Sequence, residues 1–464
     1  MSSPVVPGSF RDPSGFVFVR QGILYRQVNA PWRENYDLLM ESGLYRELVE
    51  DGLLVPHEEV DLTFAASDGA HRVLRPEPIP FISYPYEWSF GQLKAAALTT
   101  LRIQKLALNH GMSLRDASAF NIQFSRGRPI LIDTLSFERL PEGRPWVAYR
   151  QFCQHFLAPL ALASYRDIRL TQLARVHIDG VPVDLAAGLL PFRARFRMPL
   201  LLHVILHARS QVRHERGSVR AESGRGRTRP FTLQAFRGLI ASLEKAVTKL
   251  TWKPGRSPWA GYYAEAESYS REAMDHKQRL VEAYLEHMDA RTAWDLGANT
   301  GLFSRMAAAK GMETISFDLD PAAVEANYER VVREGETRLL PLVMDLINPS
   351  PGIGWENRER QSLAERGPVD LVLALALVHH LAIANNVPLA RLAGFFRNLC
   401  TRLIIEFVPK SDPKVGDLLA LREDVFPEYT QGGFEQAFGE AFTVEATEQI
   451  KDSDRIMYLM RAKP

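Results

Sequence analysis

Residues 294–301 read Trp-Asp-Leu-Gly-Ala-Asn-Thr-Gly, and a helix-like run opens directly after them at Leu302-Phe303-Ser304. Apolar residues lead into an acid, a glycine turn follows, and a helix begins. That order is the opening of a β-α unit, and it constrains what comes after it. From Thr292 onward, extended runs alternate with helical ones. The candidate strands are Ala293–Leu296, Thr314–Asp318, Arg338–Met344, Leu371–Leu377, Arg402–Phe407, Phe442–Thr447 and Ile456–Arg461. Such alternation predicts an α/β domain with a mainly parallel sheet covered on both faces. The expectation is a Rossmann-like, seven-stranded C-terminal domain whose last two strands form a hairpin-like pair.

Ligands of open α/β sheets bind beyond the carboxyl ends of the strands, so the residues closing each strand matter most. Asp295 closes the first strand, Asp318 the second, and Asp345 follows the third. The glycines of the first turn stand as Gly-x-x-x-Gly, which departs from the Gly-x-Gly-x-x-Gly of dinucleotide sites. Asp318 follows this loop at close to the ~20 residues expected of an acid that accepts from a ribose diol. Asp320 precedes Pro321, so its expected job is to cap the next helix.

From about Trp259 the chain resembles class I S-adenosylmethionine (SAM)-dependent methyltransferases. It is similar to bacterial two-part proteins related to the rhizobial host-specificity of nodulation protein. Ser268-Tyr269-Ser270, the Asp295–Gly301 loop, Phe317-Asp318-Leu319-Asp320-Pro321, His379-His380-Leu381 and Ile405-Glu406-Phe407-Val408-Pro409-Lys410 carry the likeness. The resemblance implies SAM as cofactor, held by Asp295, Gly297, Asn299, Gly301, Asp318 and Asp345, with no metal in this domain. Gly297 and Gly301 are expected to bring bare backbone to the ligand. The helix from Leu302 offers free N–H groups to a carboxylate. Asp295 is expected to hold the loop or meet the ligand amine, Asp318 to take the ribose hydroxyls, and Asp345 to accept from the adenine amino group.

The fourth strand runs toward His379-His380, and an imidazole of ordinary pKa of about 6.5 could take a proton there. One of the pair is the expected base, with capping and packing as the structural alternative. Glu406 and Lys410 are candidates to line the acceptor pocket, and a salt bridge is the alternative for Glu406. Tyr262, Tyr263 and Tyr269 precede the fold where a lid over SAM is expected. No Asn-Pro-Pro-Tyr follows the fourth strand. The leading expectation is an O-methyltransferase acting on a small-molecule or glycan-like hydroxyl. The alternative is a kinase-like or SAM-sensing regulatory protein with little turnover.

The N-terminal half reads differently. Phe16 to Val28 alternates like a hairpin around Gln21-Gly22, a helical pattern covers Asn35 to Asp51, and Leu93 to Asn109 is a helix closed by Gly111. Two short strands, Asn121–Phe124 and Ile130–Ile132, flank Arg126-Gly127-Arg128. Arg115-Asp116, then Asn121, then Asp133 after an apolar strand follow the order of a kinase catalytic loop and its metal-holding acid. Roughly residues 15–210 thus resemble a protein-kinase-like α+β domain, which implies a Mg-nucleotide site at Asp116, Asn121 and Asp133. The departures point to a degenerate form. Leu114 stands where the histidine would be, Thr134-Leu135 follow Asp133, and no lysine precedes Lys94. Arg26 or Arg72 is left to replace the phosphate-binding charge, with different geometry.

The expected domains are residues 1–207, an Arg/Gly/Ser-rich linker over 208–230, and residues 231–464 with a helical lead-in. At 464 residues the length fits two to three domains. Lys plus Arg (56) nearly balance Asp plus Glu (55), which disfavours nucleic acid and membrane as partners. Two distant cysteines make neither a disulfide framework nor a zinc site. With no basic-then-apolar leader apparent at Met1, a cytoplasmic protein is expected.

Overall fold

The computed structural model describes residues 5–197, 200–206, 231–254, 269–286, 288–420 and 423–464. The 208–230 linker expected from sequence lies outside the described residues, as do Trp259, Tyr262, Tyr263 and Ser268. The chain divides into two units, 1–253 with 353–360, and 254–352 with 361–464.

The first unit is α+β. Strands β1 (Gly15–Arg20), β2 (Ile23–Asn29), β3 (His57–Val60) and β4 (Ala70–Pro76) form an antiparallel sheet in the order β1-β2-β4-β3. The β1–β2 turn is the expected one: Gln21 and Gly22 both have positive φ, 53° and 77°, as a two-residue turn matching strand twist demands. The helical pattern over 35–51 is two helices, Arg33–Glu41 and Leu44–Glu50, because Gly43 turns left-handed between them (φ 83°). The helix Phe90–Asn109 begins three residues earlier than its apolar pattern. Ser89 accepts from the Gln92 N–H and Gln92 answers with the Ser89 N–H, a reciprocal cap. Strand β5 (Met112–Leu114) pairs with β8 (Phe137–Arg139), and β6 (Ile122–Ser125) with β7 (Arg128–Leu131).

The helix Leu233–Lys249, expected as the lead-in to the C-terminal domain, packs in this first unit instead. Lys94 Nζ donates to the carbonyls of Thr248 (2.9 Å) and Leu250 (2.8 Å), and Lys105 pairs with Glu244. Phe236, Ile240, Leu243 and Val247 make its buried stripe. Residues 353–360 also belong to this unit, with Glu359 receiving Arg11 at 2.7 Å.

In the second unit β9 (Thr292–Leu296), β10 (Glu313–Asp318), β11 (Leu339–Val343), β12 (Val369–Ala374), β13 (Cys400–Phe407), β14 (Phe442–Gln449) and β15 (Ile456–Ala462) form one sheet. Its order is β11-β10-β9-β12-β13-β15-β14, parallel except for β15, which runs antiparallel to both neighbours. The seven expected strands and the final hairpin-like pair are all present. All of β12 but Asp370 is buried, which is why it reads as a continuous apolar run rather than an alternation. Ala293, Leu371, Leu373 and Ile404 of the sheet pack with Phe303, Val281 and Leu285 of the helices. The order reverses between β9 and β12, and a ligand crevice opens at such a point.

Candidate functional site

The turn after β9 is built from alternating left-handed residues. Gly297, Asn299 and Gly301 have φ of 79°, 51° and 79°. Gly297 and Ala298 both donate to the carbonyl of Phe317 in β10 at 2.9 Å. The Asn299 N–H reaches the Asp318 carboxylate at 2.7 Å, and the Asp320 N–H reaches its other oxygen at 2.8 Å. Asp318 therefore ties the glycine turn to the end of β10. It remains partly exposed. Burial pushes its carboxyl up to about 6 against the pull of these N–H donors.

The two glycines do different work. A side chain at Gly297 would come within 3.3 Å of Leu377, so this glycine lets the turn approach the chain leaving β12. At Gly301 a Cβ would strike the Asn327 side chain at 2.5 Å and Arg305 at 2.7 Å. Its lack of a Cβ serves the start of the helix Leu302–Ala309, where it is the left-handed cap.

Asp295 is almost fully buried and accepts from Ser304 Oγ at 2.6 Å. Burial raises it to about 7, with Ser304 pulling the other way. Of the two roles expected for Asp295, this bond supplies the loop-holding one. Asp345 is partly exposed after β11 and accepts from the Ile347 N–H at 2.9 Å. Asp320 accepts from the Ala322 N–H beside Pro321, the cap expected of it.

Beyond β12 the chain turns at Ala376, left-handed at φ 51°. The strand stops at Ala374, so His379 caps and His380 opens the short helical segment His380–Ala384, their ring centroids 4.1 Å apart. Neither has the ordinary pKa assumed from sequence. Burial, then His380, Arg455 and Lys277, hold His379 well below 6.5, and burial lowers His380. His379 is 1% exposed and its Nδ1 has no hydrogen-bond partner. It is a neutral imidazole throughout the neutral range. It is thus always in the proton-accepting form, though a weak base.

Glu406, expected at the acceptor pocket, is completely buried instead, and the salt-bridge alternative describes it. Lys277 Nζ donates to its Oε2 at 2.7 Å, Tyr269 OH to its Oε1 at 2.5 Å, and the Ala376 N–H to Oε2 at 2.9 Å. Arg455 lies 3.5 Å away and is itself held by Asp412 at 2.7 and 3.1 Å. Burial pushes Glu406 up, but Lys277 and Arg455 outweigh it and leave the carboxyl below its usual range. Lys410 pairs with Asp424 at the surface. Sequence reasoning missed Lys277, although a signal existed. It falls in register with Ala273, Val281 and Leu285 at steps of four on one helix face, where an ordinary lysine is out of place. Arg455 and Asp412 carried no such pattern.

In the first unit the three kinase-order residues do meet. Ser136 Oγ donates to Asp133 at 2.6 Å and receives Asn121 Nδ2 at 3.3 Å. Asp116 accepts from the Ser118 N–H, and burial followed by the nearby Asp133 raises its pKa. Arg26 from β2 ion-pairs with Asp133, whereas Arg72 pairs with Glu59 at 3.0 Å. No cluster of three or more metal-ligating side chains occurs among the described residues.

The chain is 39% identical to "Nodulation protein NoeA" of Rhizobium meliloti (strain 1021) over 457 residues, 98% of this chain and 95% of that one. The chain belongs to the NoeA family of nodulation proteins. No family model matches it. Among solved structures, N-methyltransferase NodS of Bradyrhizobium japonicum WM9 aligns at TM-score 0.30 and 12% identity, covering 42% of this chain and 99% of that one. Magnesium protoporphyrin IX methyltransferase of Synechocystis PCC 6803 with bound SAH aligns at TM-score 0.30 and 15% identity, covering 45% and 90%.

Proposed function

We propose that the second unit is a SAM-dependent methyltransferase acting on a hydroxyl of a small-molecule or glycan-like acceptor. The single observation behind this reading is Asp318. It ends the strand next to the glycine turn, anchors that turn through Asn299, and is our candidate to accept from a ribose diol. Gly297, whose missing Cβ lets the turn pack against Leu377, keeps this turn close to the chain leaving β12. SAM, when bound, supplies a methyl carbon activated by its sulfonium. The chain's part is to align the acceptor, exclude water and receive the hydroxyl proton, for which neutral His379 or His380 is our candidate. The nodulation role of the relative is the biological setting we carry over.

The double substitution His379→Asn and His380→Asn is expected to lower turnover of methyl-labelled SAM by roughly 10²–10⁴, the usual worth of a general base, while calorimetry shows SAM binding within a few-fold of wild type. Turnover unaltered by both changes would remove the histidines as the base, and SAM binding with no turnover in the wild type would favour the SAM-sensing alternative.

A second reading concerns the first unit, and the Arg26–Asp133 pair favours it. We read this unit as a kinase-like domain in degenerate form. The acid in the metal-holding position is already neutralised by Arg26 and bonded to Ser136, so divalent metal would have to displace a guanidinium. Mg-ATP is expected to leave the melting temperature of the full chain unchanged, and Arg26→Gln is expected to create a shift by removing the cation paired with Asp133. A clear shift in the wild type would show an intact nucleotide site.

A further inference from the structure

The first unit carries a surface that the methyl-transfer reading does not use. Residues 192–197 read Phe-Arg-Ala-Arg-Phe-Arg. Phe192 is 67% exposed and Phe196 74%, and their rings stand nearly perpendicular with centroids 5.3 Å apart. Leu202 nearby is 48% exposed. Exposed apolar side chains gathered in one place mark a candidate contact surface.

The surroundings of the rings are cationic. Phe196 and Arg197 border a cavity of about 550 Å³ floored by Tyr165, Leu200 and Leu250. Its other wall is the helix Leu233–Lys249, which presents Lys245 and Lys249 four residues apart on one face. No carboxylate occurs among the described lining residues, and no described carboxylate pairs with Arg197, Lys245 or Lys249. Arg193 binds the Tyr165 carbonyl at 3.3 Å, which steadies the turn carrying both rings. The whole-chain charge is only +1, so this concentration of cations is local.

We propose that this face docks on an anionic phospholipid surface, with Phe192 and Phe196 inserted at the acyl boundary and Arg197, Lys245 and Lys249 against the headgroups. Projecting rings flanked by cations match a fluid, negatively charged interface. A folded acidic partner would need preformed pockets for both rings. No described helix is long and apolar enough to cross a membrane, so the contact is peripheral. It refines the sequence expectation that a near-neutral chain avoids membranes, because overall balance hides a one-sided patch. The proposal does not depend on the methyl-transfer reading.

Sedimentation of the full chain with vesicles tests it. Wild type is expected to pellet with vesicles of phosphatidylcholine mixed with phosphatidylglycerol, to stay in solution with phosphatidylcholine alone, and to be released by high salt. Lys245→Gln with Lys249→Gln should weaken binding roughly thirtyfold, from about a fivefold effect per charge near the surface. Phe192→Ser with Phe196→Ser should abolish it while SAM binding stays at the wild-type level. Equal binding to neutral vesicles, no binding to anionic ones, or retention on poly-glutamate without vesicle binding each overturns the assignment. The salt release needs no substitution, so it stands even if a variant folds poorly.

Discussion

Asp318→Ala is expected to weaken SAM binding roughly 10²- to 10⁴-fold. The carboxylate is the proposed acceptor of two ribose hydroxyls. Hydrogen bonds to a charged group are worth about 1.5–3 kcal/mol each, so losing two removes about 3–6 kcal/mol at about 1.4 kcal/mol per decade. The same substitution frees the Asn299 and Asp320 N–H groups, which adds turn disorder to the lost contacts. Asp318→Asn keeps one acceptor oxygen and should fall between. Calorimetry with SAM checks the series, and an Asp318→Ala protein binding within threefold of wild type would falsify the cofactor reading.

Acidity provides a second handle on the same residue. Burial lifts Asp318 to about 6 in the folded chain, above its ordinary value near 3.9. The folded state therefore holds more protons than the unfolded one between about pH 4 and 6, and Asp318 lowers stability as pH rises through that window. Ligand binding has the opposite dependence, because the diol needs the ionised form. SAM affinity should be level above pH 7 and decline toward tenfold per unit below pH 6, with a proton released on binding in that range. The Asp318→Asn variant should lose this dependence.

The fold of the second unit was legible because its strands are separated by helices and end in informative residues. Strand limits erred by a few residues where apolar character continued past the hydrogen-bonded ladder, as at Leu375 and Leu377 beyond β12. Asp318 was legible from its place at a strand end. For Gly301 the sequence shows a missing side chain but not its neighbours, which are Asn327 and Arg305. The histidine pair was visible, whereas its environment was not. Lys277, Arg455 and Glu406 come from distant segments, and only folding brings their charges together. The helix Leu233–Lys249 was assigned to the wrong unit for the same reason: its amphipathic pattern fixes one buried face and says nothing about which neighbour covers it.

That buried charge cluster predicts the largest stability effect. Glu406→Ala should destabilise the second unit by about 3–5 kcal/mol, the usual consequence of removing one partner of a buried ion pair. Lys277 is 2% exposed and Arg455 is fully buried, so neither reaches water when its counter-charge is gone. Burial already lowers Lys277 against the pull of Glu406, and without Glu406 it would shed its proton. Ala376 also loses the acceptor that fixes its left-handed turn, a conformation that persists only when neighbours enforce it. At roughly 2–4 °C per kcal/mol for a domain of this size, the melting point should fall by about 6–20 °C. Lys277→Met combined with Glu406→Leu removes both charges together and should recover much of that loss, since Arg455 retains Asp412. A strongly non-additive double-mutant cycle in thermal melts is the expected result. Additive losses would mean that Lys277 and Glu406 act independently.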